Sequence, residues 1–194
     1  MTKKGLVVLG STGSIGRQTL EVVRAFPDAF KVIGLSAGNN LALLESQVKE
    51  FGARLAYFTD YADYPNFHSS AKLLAMEDMV SDPEVEIVLV GTTGSVGLIP
   101  TIVALERGLT VCLANKEVLI MAGQMINELT RMHRGQILPV DSEPNAIWQC
   151  LRGENQEIRR LLITASGGPF RNTPTEELVH VTPNQALKHP TWTM

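Results

Sequence analysis

The stretch "GLVVLGSTGSIGRQTLEVVRAF", Gly5 to Phe26, decides the fold. It opens as an unbroken apolar run, bends through Gly10, Gly13 and Gly16, then places apolar residues at helical spacing until Pro27. A strand buried on both faces reads as such a run, and a helix that starts in glycines offers its first N–H groups to an anion. Glycine lets the backbone turn sharply and approach a pyrophosphate. The spacing is G-x-x-G-x-x-G, one residue longer than the common dinucleotide fingerprint. A plain strand-to-helix turn therefore stays open as the alternative.

A near copy, "VLVGTTGSVGLIP" (88–100), repeats the pattern with Gly91, Gly94 and Gly97. It follows the fourth expected strand, which a doubly wound sheet sets beside the first, where the strand order reverses. Pro100 falls early in the helix behind it. Two roles fit this copy: a wall on the nicotinamide side of one shared site, or a structural turn.

The rest of the chain keeps the same rhythm. Strands are expected at 5–9, 30–36, 53–58, 86–90, 109–114 and 136–140, with helices at 14–26, 41–51, 71–80, 98–108 and 116–133. Val/Ile/Leu-rich strands alternating with helices imply a parallel sheet covered on both faces, with ligands at the carboxyl ends of its strands. The fold class is α/β, a doubly wound, Rossmann-type sheet over residues 1–140. After Val140 the rhythm changes: a helix at 143–153, a strand "EIRRLLITA" (157–165) and short helical pieces open a second, α+β catalytic domain, 141–194.

Composition narrows the partners. The 194 residues are 44% hydrophobic and 19% charged with a net charge of −3, which suits a globular chain and argues against nucleic acid. No apolar stretch reaches the roughly 18 residues of a membrane helix, and the apolar run after Lys3 and Lys4 breaks at Gly10. Cys112 and Cys150 lack the company of a metal knuckle or disulfide framework, so the expected compartment is the reducing cytoplasm.

Chemistry gathers after the strands. "LSAGNN" (35–40) closes the second strand with no carboxylate where NAD sites hold the ribose 2′-hydroxyl. Ser36, Gly38, Asn39 and Asn40 suit a 2′-phosphate, hence NADP; Asn40 also suits a helix N-cap. "LPVDSEPNA" (138–146) carries Asp141 and Glu143, whose carboxylates converge if the segment is extended and then suit a hard cation such as Mg²⁺ or Mn²⁺. The same residues suit a helix start, with Asp141 or Ser142 capping and Pro144 in the first turn. "LANKEV" (113–118) puts Asn115, Lys116 and Glu117 on that rim, Lys116 being either a phosphate or carbonyl partner or merely solvated. "TASGGPF" (164–170) offers Ser166 in an anion-holding or simple turn, and "KHPTWTM" (188–194) offers His189 and Trp192 as a lid or an unremarkable segment.

Together "GSTGSIG", "AGNN", "LANKE", "PVDSEPNAI", "ASGGPF" and "HPTWTM" resemble, in order and over essentially the whole chain, the 1-deoxy-D-xylulose 5-phosphate reductoisomerase family. The resemblance implies conversion of 1-deoxy-D-xylulose 5-phosphate and NADPH to 2-C-methyl-D-erythritol 4-phosphate in non-mevalonate isoprenoid synthesis. Mg²⁺, Mn²⁺ or Co²⁺ and a homodimer are implied with it. It assigns Thr12, Gly13, Ser14 and Ile15 to the pyrophosphate, Gly38, Asn39 and Asn40 to the 2′-phosphate, and Asn115 and Glu117 to further NADPH contacts. Lys116, Ser142, Glu143, Ser166 and His189 are assigned to the substrate, Asp141 and Glu143 to the metal, and Trp192 to a flap over the substrate. Lys116, Asp141 and Glu143 are the catalytic set. The implied mechanism is a metal-assisted skeletal rearrangement, by retro-aldol/aldol or ketol shift, followed by hydride transfer. The family's third metal carboxylate and the rest of its phosphate cradle find no counterpart after Glu143, so an N-terminal fragment, inactive alone, is expected.

Rival readings lack their residues. A short-chain dehydrogenase needs Tyr-x-x-x-Lys, but Tyr57, Tyr61 and Tyr64 are followed at that distance by Tyr61, Pro65 and His68. A semialdehyde dehydrogenase needs a cysteine in a glycine-rich or helix-opening context. A non-catalytic NADP-binding regulatory module would keep the glycine turns, yet has no use for Lys116, Asp141 and Glu143 together.

Overall fold

The computed structural model of the chain describes residues 2–59, 65–153, 157–165 and 168–188. Contacts divide it into two units, Met1–Asn145 and Ala146–Met194.

The first unit is a seven-stranded sheet, entirely parallel, in the order β4-β3-β2-β1-β5-β6-β7. The strands are β1 (Lys4–Leu9), β2 (Phe30–Ala37), β3 (Leu55–Phe58), β4 (Lys72–Leu73), β5 (Val85–Val90), β6 (Thr110–Leu113) and β7 (Gln136–Pro139). Five long helices connect or follow them: α1 (Ser14–Ala25), α2 (Leu41–Phe51), α4 (Leu98–Glu106), α5 (Lys116–His133) and α6 (Ser142–Leu151), with the single-turn α3 (Met76–Val80) before β5. The doubly wound α/β reading of the sequence holds.

Alternation along β1 shows why both faces are covered. Leu6 and Val8 pack with Leu20 and Val23 of α1 and Leu44 and Val48 of α2. Val7 and Leu9 point the other way, among Met79 of α3, Leu105 of α4 and Ile126 of α5. Every one of these side chains is almost fully buried. Only a strand with helices on both sides can hide consecutive aliphatic residues.

Two expectations are corrected. Residues 71–80 do not form one helix: Lys72–Leu73 pair with Leu55 and Ala56 at the sheet edge, and only Met76–Val80 are helical. The edge supplies backbone partners at once, with Lys72 N–H on the Arg54 carbonyl and Leu74 N–H on that of Ala56. That pairing overrides helix propensity and gives the sheet a seventh strand. In the second unit, 157–165 is not a strand. Its apolar residues do not alternate, and Ile158, Leu161, Leu162 and Ile163 are all more than half exposed. A β-strand exists only by pairing, and no ladder forms here. Around it the unit holds the end of α6, where the Arg152 guanidinium lies 4.8 Å over the Trp148 ring. A 3-10 turn, Thr175–His180, and the short α7 (Pro183–Ala186), capped reciprocally by Thr182 and Gln185, follow.

At the amino ends of the strands, charges lace the sheet together. Arg54 reaches Asp82 (2.6 Å) and Glu84 (2.7 Å), and Lys31 shares Glu84 (2.6 Å). Lys31 and then Arg54 hold Glu84 below the usual carboxylate range. For Asp82, burial pushes upward, but the Arg54 hydrogen bond and its other partners prevail and the net shift is downward. Carboxyls depressed in the folded state contribute stability above their unfolded pKa and lose it as pH falls through the folded one. Arg54→Ala should therefore lower the thermal midpoint at pH 7, and the gap from wild type should shrink as the pH drops below about 4. A gap independent of pH in a melting series would show that the pairs contribute nothing.

Candidate functional site

The carboxyl ends of β1, β2, β5, β6 and β7 form one rim, and two glycine turns meet at its centre. Gly10 leaves β1 with φ +85, a left-handed conformation that side chains resist. A Cβ on Gly10 would lie 2.7 Å from the Gly91 carbonyl oxygen, so the two turns touch backbone to backbone. The Gly91 N–H also donates to the Leu9 carbonyl (2.8 Å). Gly16, in the first turn of α1, sits so close to the loop that a Cβ would be 2.2 Å from the Gly10 carbonyl oxygen.

Gly13 is the N-cap of α1 and brings no capping side chain, so the first N–H groups of this twelve-residue helix keep their anion-binding potential. Thr12 and Ile15 are half-buried here, and Gly13 and Ser14 are exposed. Ser36, grouped by sequence with the 2′-phosphate residues, instead faces inward: it is 1% exposed, and its hydroxyl accepts the Gly10 N–H at 2.9 Å. Gly38, Asn39 and Asn40 remain on the surface. The Asn40 side-chain oxygen caps α2 through the Leu43 N–H (3.1 Å), leaving its amide N–H groups to face outward chemistry.

The second turn is braced from β6. Asn115 is 2% exposed. Its Nδ2 donates to the Gly94 carbonyl (2.9 Å) and Thr92 Oγ1 (3.3 Å), while its Oδ1 caps α5 through the Val118 N–H (3.1 Å). Its side chain therefore works inside the protein, holding the second turn against the start of α5. Glu117 follows in the first turn of that helix, where a carboxylate meets the positive end of the dipole.

Lys116, Asp141 and Glu143 come together. The Lys116 ammonium is 3.2 Å from Asp141 Oδ2, with the lysine side chain 61% and the aspartate 26% exposed. Glu143 ionises below the usual carboxylate range, chiefly through the Ser142 hydroxyl donating to it at 2.7 Å, with its own backbone N–H and Lys116 adding to the effect. The segment is a helix start rather than extended chain. The Asp141 carbonyl accepts the Asn145 N–H (3.0 Å), and Glu143 lies in the first turn of α6. Strand alternation is thus the wrong geometry for this pair. What gathers the two acids is a shared lysine and a helix N-terminus.

Two hard carboxylate oxygens suit Mg²⁺ or Mn²⁺ completed by water. Among the described residues no group of three or more His, Cys, Asp or Glu is placed to hold a metal. Ser166, His189 and Trp192 lie outside the described residues. Burial pushes the Cys112 thiol upward, away from the thiolate form a nucleophile uses. Sequence reading passed over Gln47, Ser11 and Thr92. The signal for Gln47 was its position among Leu44 and Val48 on the buried face of α2.

Among the described residues no helix is long and apolar enough to cross a membrane. Residues 6–123 match the family described as 1-deoxy-D-xylulose 5-phosphate reductoisomerase, and 137–194 match that enzyme's C-terminal domain family. A curated 1-deoxy-D-xylulose 5-phosphate reductoisomerase of Pelotomaculum thermopropionicum is 44% identical over 98% of this chain and 52% of its own length. The solved reductoisomerase of Zymomonas mobilis, in complex with NADPH, is 37% identical with a TM-score of 0.86 over 97% of this chain and 52% of that one. A DOX-P reductoisomerase in complex with NADPH, fosmidomycin and magnesium is 30% identical with a TM-score of 0.85, covering 98% of this chain and 52% of its own. The chain thus spans about half the length of the relatives it matches.

Proposed function

Because the chain belongs to the 1-deoxy-D-xylulose 5-phosphate reductoisomerase family, we propose that it supplies the dinucleotide half of that reaction and two of its metal carboxylates. The reaction is NADPH- and divalent-metal-dependent conversion of 1-deoxy-D-xylulose 5-phosphate to 2-C-methyl-D-erythritol 4-phosphate. Residues 1–140 are the NADPH domain in this reading, and 141–194 open the catalytic one. The supporting observation is the meeting of two glycine turns on the rim that also carries Lys116, Asp141 and Glu143.

The backbone N–H groups of Thr12, Ser14 and Ile15 hold the pyrophosphate at the start of α1, Gly13 lets the backbone come close while its own N–H donates to the Gly10 carbonyl, and Gly38, Asn39 and Asn40 donate to the 2′-phosphate. Asn115 acts here through the shape of the second turn, and Glu117, in the first turn of α5, is a further NADPH contact. Asp141 and Glu143 are the cation ligands, and the Ser142 hydroxyl, donating to Glu143 at 2.7 Å, orients its carboxylate. Lys116, paired with Asp141 at 3.2 Å and largely exposed, would neutralise substrate charge. Ser166, His189 and Trp192 are assigned to the substrate by the family resemblance. Bound there, a divalent ion polarises the substrate's carbonyl and hydroxyl oxygens, while NADPH supplies hydride. Both cysteines are free thiols, which suits a cytoplasmic protein, and the family resemblance implies a homodimer.

With no carboxylate at the end of β2 to repel a 2′-phosphate, NADPH should bind at least about tenfold more tightly than NADH at low salt, and added salt should narrow the gap. Nicotinamide fluorescence titrations measure both, and equal affinities at low salt would remove the NADP assignment. Turnover is read as NADPH oxidation with 1-deoxy-D-xylulose 5-phosphate and Mn²⁺. The 194-residue chain should bind NADPH yet turn over far more slowly than the Zymomonas mobilis relative. A comparable rate would show that two carboxylates suffice.

A further inference from the structure

A glutamine is out of place on the inner face of α2. Leu44 and Val48, its neighbours on that face, pack among aliphatic side chains. Gln47 is 3% exposed and reaches back to a residue of the first glycine turn. Its Oε1 accepts the Ser11 hydroxyl at 2.7 Å, and its Nε2 donates to the Ser11 carbonyl at 3.0 Å. Ser11 is fully buried, and its N–H donates to the Ser36 carbonyl at 2.7 Å. Every polar group of Ser11 is therefore held by β2 or α2.

We infer that Gln47 is a positioning residue of the dinucleotide turn, acting through Ser11. The peptide plane carries the argument. The chain has no cis peptide bond among its described residues, so the Ser11 carbonyl and the Thr12 N–H point in opposite directions. By fixing that carbonyl toward α2, Gln47 directs the Thr12 N–H to the opposite side of the turn. Ser36 does the same for the peptide before it, holding both the Gly10 and Ser11 N–H groups. The turn's orientation is set from underneath by the Gln47 side chain and by the hydroxyl and backbone carbonyl of Ser36, groups that no cofactor need touch. Its use for a dinucleotide rests on the function proposed above; the clamp itself does not.

Gln47→Met keeps size and apolar packing but removes both hydrogen bonds, and Ser11→Ala removes the hydroxyl from the other side. Two measurements on the chain separate the possibilities. Amide hydrogen exchange at Gly10, Ser11 and Gly13 should accelerate about 10- to 100-fold in either variant, while the hydrogen-bonded Ala114 and Val140 amides change much less. NADPH affinity should fall about tenfold, with the NADPH-to-NADH ratio unchanged because the 2′-phosphate loop is untouched. The two substitutions should be non-additive when combined. Uniform acceleration across all these amides, or additive effects, would reduce Gln47 to a core residue and overturn the inference. If the turn loosens while NADPH affinity stays the same, the inference falls as stated, although the clamp exists. Wild-type protein that binds no dinucleotide would instead remove the functional reading, with the exchange data still deciding the clamp. Should Gln47→Met not fold, Gln47→Leu, which also removes both hydrogen bonds, carries both measurements.

Discussion

Gly16→Ala should cripple the chain's dinucleotide site. The added methyl would lie 2.2 Å from the Gly10 carbonyl oxygen and 2.5 Å from the Ser11 Cα, and backbone atoms cannot step aside as a flexible side chain does. Either α1 lifts from the turn or the turn opens, and both misplace the N–H groups at the helix start. Losing one or two hydrogen bonds to a charged phosphate weakens binding on the order of 100-fold. The strain itself should destabilise the fold by about 2–4 kcal/mol. Gly123→Ala in α5 is the control, because nothing lies within 4 Å of its would-be Cβ and alanine is the better helix former. Thermal melting with an NADPH titration checks both. Near-normal affinity in Gly16→Ala would mean that the first turn is not the cradle.

The second large effect is expected at Asn115. Alanine there removes a helix cap and strands the Gly94 carbonyl, whose donor it was. The expected loss is about 2–3 kcal/mol of stability. Asn115→Asp is the sharper test. It keeps the oxygen that caps α5 but sets a carboxylate oxygen against the Gly94 carbonyl in place of an N–H donor. Thr92 can rotate its hydroxyl to donate; the carbonyl has no such freedom. About 1–2 kcal/mol should be lost even though the cap survives. Wild-type stability in the aspartate variant, measured by urea unfolding, would show that only the cap matters.

Much of this fold was legible because period and punctuation agreed. The aliphatic runs of β1, β2 and β5 admit no half-exposed arrangement, and Pro27 and Gly52 stop helices where the pattern stops them. Family membership was legible in short specific words such as "PVDSEPNAI". What local reading missed depended on partners distant in sequence. Lys72–Leu73 pair because an edge of β3 lies open beside them, and 157–165 stay unpaired for want of such an edge. At the rim, sequence left Asp141 and Glu143 open between strand neighbours and a helix start, and the helix start is the one realised, because α6 begins between them. Asn115 and Gln47 turn inward because buried backbone carbonyls need donors, a demand invisible until both glycine turns are in place.

The central position of β1 also sets a clock on synthesis. One edge of β1 pairs with β2, which follows closely; the other waits for β5, where Leu9 aligns with Val90. At roughly 5–20 residues per second, the intervening stretch of about 80 residues takes about 4–16 s to leave the ribosome. Throughout that interval the aliphatic edge of β1 stays open to any passing strand, and a delay shortly before Val85 is translated prolongs the hazard. Chaperone demand for this chain should therefore follow the pace of translation through codons 10–85 more closely than the stability of the finished fold.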